Sequence, residues 1–122
     1  MRTLEIRTKR IYETAVAEDG YRMLIDRIWP RGVSKDSAAI DCWAKEIAPS
    51  HELRKWYRHD HAKWGEFLSR YTAELDANPE AFQSLIDSID GDVVTLVYSA
   101  KETEFNNAQA LRAYIEKHLA GS

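Results

Sequence analysis

Two short polar runs in this chain carry residues suited to chemistry. The first lies inside RMLIDRIWPRG and comprises Asp26, Arg27, Trp29, Pro30, Arg31 and Gly32; the second comprises Tyr98, Ser99, Ala100 and Lys101, followed by Asn106 and Asn107. The planar fork of arginine matches phosphate and carboxylate bidentately, and a lysine adds a compact positive charge. Arg27, Arg31 and Lys101 therefore read as contacts for a small anionic ligand bearing phosphate, nucleotide or carboxylate. Asp26 is the candidate general base, with Lys101 beside it as the second candidate catalytic group. Trp29, Pro30, Gly32, Tyr98, Ser99, Asn106 and Asn107 complete the candidate binding residues, the asparagines as readers of a polar group.

A structural reading competes with this one. Asp26 paired with Arg27 or Arg31 would fix a strand-to-loop bend and do nothing else. Ser99 and Glu102 also have the spacing of a helix capping box. Elsewhere, His59-Asp60-His61 lacks a third ligand at diagnostic spacing, so no metal is expected, and Asp60 is better read as a helix N-cap. Cys42 beside Trp43 has no visible catalytic partner. In LRKWYRHDHAKW, Arg54, Lys55, Arg58 and Lys63 alternate with aromatic residues, as a nucleic-acid surface would. Helical spacing turns those rings inward, which leaves the cations as a solvated rim. A nucleic-acid- or protein-binding module without catalysis stands as the alternative function, and no cofactor is implied.

The elements that must hold the two runs follow from periodicity. Leu4 and Ile6 alternate with polar neighbours in a first strand, and Glu18-Asp19-Gly20 signals a turn. Tyr21 to Trp29 is expected as a central strand covered on both faces, ended by Pro30 and Gly32. Ile40, Trp43 and Ile47 recur at helical spacing from about Asp36 to before Pro49. Ser50 caps a short helix containing Leu53, Trp56 and Tyr57, and Asp60 caps a longer one containing Trp64, Phe67, Leu68, Tyr71 and Leu75. Pro79 opens the next helix, VVTLVY at residues 93–98 is a buried strand, and a last helix runs from about Phe105 with Gly121 past its end. This alternation predicts a compact Rossmann-like α/β domain of three layers, with a small, mostly parallel sheet and several helices, in a single unit spanning 1–122. In such sheets ligands lie beyond the carboxyl ends of the strands, where both polar runs fall.

Composition narrows the setting. The 122 residues are 44% hydrophobic and 30% charged with a net charge of -3, which suits one globular domain without a general attraction for nucleic acid or anionic membrane. The single cysteine excludes an internal disulfide framework. No apolar run approaches the ~20 residues of a membrane span. A soluble cytoplasmic protein is the expectation, and nothing in the sequence specifies an oligomeric state.

The paired motifs DGYR…DRxWPRG and YxAKxxxxNNA, with the stretch that joins them, resemble the DUF488 family and its short bacterial, YeaO-like branch. The resemblance runs from about Ile6 almost to the C-terminus. It implies a compact Rossmann-like domain of uncharacterised function, and its motif positions fall on the two polar runs. Other branches carry a Cys-His-Arg run where this chain has Asn106, Asn107 and Ala108, so thiol or metal chemistry does not carry over. Some members are labelled transcriptional regulators, yet no helix-turn-helix with a recognition face is visible here.

Overall fold

A computed structural model describes residues 3–120. Four strands, β1 (Glu5–Arg10), β2 (Tyr21–Leu24), β3 (Cys42–Trp43) and β4 (Val93–Tyr98), form one sheet in the order β1-β4-β2-β3, with every pair parallel. Five α-helices accompany them: α1 (Lys35–Ala38), α2 (His51–Tyr57), α3 (Trp64–Asp76), α4 (Pro79–Ser88) and α5 (Asn107–Ala120).

The alternation of side chains along the two inner strands decides the layers. Met23, Ile25, Val94, Leu96 and Tyr98 turn to one face and pack with residues of α2, α3, α4 and α5 in the main core. Leu24 and Val97 turn to the other, where Ile11, Ala38, Trp29, Val33 and Ile40 form a smaller cover. VVTLVY can be apolar on both sides because both faces are roofed, and five of its six residues are buried. The thin face also holds a polar knot. Asp19, 4% exposed, accepts from Arg22 at 2.6 Å and Lys9 at 3.1 Å, while Arg22 donates to the carbonyls of Ala38 and Ala39 at the end of α1.

Two expectations change. The stretch from Asp36 is not one helix: α1 stops at Ala38, Ala39 turns left-handed (φ 49), and Cys42–Trp43 adds a strand beside β2. Ile40 joins the small core and Ile47 the large one, while Trp43 is exposed, so the shared spacing does not mark a shared face. β2 also ends at Leu24 rather than Trp29, and only the Ile25 amide still reaches β4, at Val97 O. Beyond it the Asp26 carboxylate turns toward Ser99, and Ile28 stands in solvent.

The caps follow sequence more closely. Ser50 and Asp60 accept from Leu53 N and Ala62 N, and Pro79 is the first residue of α4. Asp60 caps a short 3-10 turn (His61–Lys63) that runs into α3. Gly121 lies outside the described residues.

Candidate functional site

The carboxyl ends of β2 and β4 are neighbours in the sheet, so the loops that leave them meet. Asp26 joins them. Its Oδ2 accepts from the Ser99 amide at 2.9 Å and the Ser99 hydroxyl at 2.7 Å, and its Oδ1 accepts from the Asn107 amide at 3.2 Å. Asn107 also donates to Ile25 O, and Trp43 Nε1 donates to Asp26 O at 2.7 Å. Among the described residues Asp26 forms no ion pair with Arg27 or Arg31. The bend is held by hydrogen bonds to neutral donors.

The second loop has its own scaffold. Arg10 donates to Ala100 O and Ser99 O, which fastens the end of β4 from β1. Ser99 spends its hydroxyl on Asp26, and the capping role passes to Glu102, which accepts from the Glu104 and Phe105 amides. Those amides, with His61 Nε2 at 2.7 Å, hold the Glu102 carboxyl down at about 2. Asn106, 1% exposed, caps α5 by accepting from Gln109 N and donates to Glu102 O.

Between these loops and α2 lies a cleft of about 660 Å³. One wall is Asp26, Ile28, Trp29, Pro30 and Arg31; another is Ser99, Ala100, Asn106 and Asn107. The third comes from α2 and its flanks: Pro49, His51, Arg54, Lys55, Tyr57 and His59, with Phe67 of α3 beneath. Burial, with the carboxylates of Glu102 and Asp60 nearby, pushes the Tyr57 phenol up to about 12, so it stays a neutral donor to Phe105 O at 2.8 Å.

The cations of this cleft are uncompensated. Arg31, Arg54 and Lys55 line it, Asp26 is its one lining carboxylate, and none of the three cations forms an ion pair among the described residues. Arg54 Nε is buried without a hydrogen-bond partner, as is Arg27 Nε outside the cleft lining, and each carries a desolvation cost. The guanidinium groups are suited to gripping an oxyanion, and Trp29, Pro30, Tyr57 and Phe67 offer an apolar surface to whatever carries it.

Of the residues chosen from sequence, Asp26, Trp29, Pro30, Arg31, Ser99, Asn106 and Asn107 line this one cleft. Arg27, Gly32, Tyr98 and Lys101 are not in its lining. Arg27 donates to Ala48 O at 3.0 Å, Tyr98 is buried under the sheet end, and Lys101 is exposed. Sequence reasoning put Arg54 and Lys55 on a separate rim, weighed His59 only as a metal ligand and passed over His51. The turn that brings His59 round is made by two successive left-handed residues, Arg58 (φ 47) and His59 (φ 56), neither of them glycine. No residue type announces such a turn.

The chain matches the profile of a family described as "Inactive DUF488-N3 subclade" over residues 5–122. It is similar to Uncharacterized protein YeaO of Escherichia coli (strain K12), with 41% identity over 112 residues that cover 92% of this chain and 97% of that protein. It is likewise similar to Uncharacterized protein Rv3073c of Mycobacterium tuberculosis and Uncharacterized protein Mb3100c of Mycobacterium bovis, each 39% identical over 111 residues, 91% of this chain and 93% of theirs. No solved structure matches. The chain belongs to the DUF488 family, in its YeaO-like branch.

Proposed function

We propose that this DUF488 protein binds a small anionic ligand, a phosphate-, nucleotide- or carboxylate-bearing molecule, in the cleft and releases it unchanged. The observation that carries the reading is the set of Arg31, Arg54 and Lys55 around one cavity with no ion-pair partner among the described residues. Arg31 and Arg54 grip the anion, Lys55 adds charge at the mouth, and the rings of Trp29 and Tyr57 take the apolar part of the ligand.

Binding without chemistry is favoured by how the reactive-looking groups are employed. Both oxygens of Asp26, the base candidate, already accept hydrogen bonds from the protein, and Asn106 and Asn107 serve as helix cap and tether. Lys101, the other catalytic candidate, is exposed and outside the cleft lining. Cys42 lies outside the cleft lining. The word "Inactive" in the description of the matched family is in keeping with this. A reducing, cytoplasmic setting suits the single free thiol. Among the described residues no helix is long and apolar enough to cross a membrane.

The test is a thermal-shift series with inorganic phosphate, AMP and citrate, because a ligand stabilises the state it binds. At least one probe raises the melting temperature of the wild type, and Arg31→Ala and Arg54→Ala each abolish the rise. No stabilisation by any probe, or stabilisation that survives both substitutions, overturns the reading.

A further inference from the structure

The cleft shares part of its α2 wall with a second concavity. This is a shallow shelf of about 540 Å³ lined by His51, Glu52, Lys55, Trp56, Arg58 and Lys63. His51 and Lys55 belong to the lining of both concavities. They stand four residues apart, so their side chains share one crest of α2, with Arg54 facing the cleft and Arg58 the shelf.

Resting on the reading of the cleft as an anion site, we infer that cleft and shelf form one continuous track for a single-stranded polynucleotide. Its terminal nucleotide sits in the cleft and its next phosphates cross the crest onto the shelf. Three features select this occupant. The cations follow one another along the path, with Arg31 and Arg54 in the cleft, Lys55 on the crest, and Arg58 and Lys63 on the shelf; Glu52 is the only carboxylate in the shelf lining. The two hollows differ in kind: the cleft has apolar and aromatic walls fit for an unpaired base, whereas the shelf's one large ring is already engaged. Trp56 lies under Arg70 at 4.4 Å and Lys63 at 5.0 Å, and Lys63 donates to its carbonyl. The shelf is thus built to meet phosphates and the cleft to take a base. Lastly, the net charge of the chain is -3, so this positive track is local and gives a strand a defined path.

The test compares AMP with 5′-phosphorylated single strands of two, four and eight nucleotides, as DNA and as RNA, by competition anisotropy at low salt. The tetramer binds at least about tenfold more tightly than AMP, and its affinity falls with salt. Arg58→Glu and Lys63→Gln return the tetramer to the affinity of AMP and leave AMP itself unchanged, whereas Arg54→Ala weakens both. Circular dichroism melts check that the variants are folded, and Arg58→Ala serves as the milder variant if Lys63→Gln, which releases Trp56, is destabilised. AMP binding with no gain for longer strands, or a gain indifferent to the shelf substitutions, overturns this inference alone. Failure of AMP and every strand to bind overturns the track, and the cleft reading then falls only if phosphate and citrate also give no stabilisation in the thermal-shift series.

Discussion

Asp26 and Ser99, 73 residues apart in sequence, are joined twice: one carboxylate oxygen accepts both the amide and the hydroxyl of Ser99, at 2.9 and 2.7 Å. The ends of two parallel strands are thereby locked side by side, and the cleft wall takes its shape from that lock. The acid is a part of the frame.

Asp26→Ala leaves the Ser99 amide and hydroxyl without their acceptor and Asn107 with Ile25 O alone, and costs about 2 kcal/mol of folding stability in urea titrations. Asp26→Asn keeps one acceptor, costs less, and removes the negative charge from the cleft. It retains or strengthens anion binding measured by calorimetry, where removal of a required base would abolish turnover.

Arg54→Met exchanges a buried, unpartnered guanidinium nitrogen for an apolar chain of similar length. Stability in urea is unchanged or rises by up to about 1 kcal/mol, while phosphate and AMP binding is lost. A gain in stability with loss of binding is the expected mark of a group kept for a ligand.

Glu102 is held at about 2 by the Glu104 and Phe105 amides and His61. Its folded pKa lies below the unfolded value, so the stabilisation it gives is present above about pH 4.5 and is lost as pH falls toward 2. Near-ultraviolet dichroism from the Trp64–Phe105–His61 ring cluster fades in that window before the rest of the fold is lost, and Glu102→Gln abolishes the step.

At the other extreme, burial raises the phenols of Tyr57 and Tyr114 to about 12, Tyr114 also through its 2.7 Å hydrogen bond to Asp76, and raises those of Tyr71 and Tyr98 as well. Folded values above unfolded ones mean that stability is complete below pH 10 and declines as pH rises through about 12. Tyrosinate absorbance near 295 nm and loss of helix therefore rise together in an alkaline titration, with no earlier tyrosine step from these four residues.

Much of this frame is legible in the sequence. VVTLVY can be apolar on both faces only if both are roofed, and Ser50, Asp60 and Pro79 mark helix starts by local chemistry. Motif and strand end together locate the two loops that line one cleft. What stays hidden is of two kinds. Ile40, Trp43 and Ile47 keep a helical spacing while going to three different places, because the left-handed turn at Ala39 is a tertiary choice sealed by Arg22. Arg54 and Lys55 read as a solvated rim, since periodicity tells which side of a helix is apolar and not which loop faces the polar side.

The most direct measurement follows the Arg54 Nε–H resonance in a nitrogen-15 spectrum while inorganic phosphate or AMP is added. A saturable shift of that signal, together with one from Arg31 and neither present in Arg31→Ala, is the predicted result. Saturable binding that leaves the Arg54 signal unmoved would contradict the account.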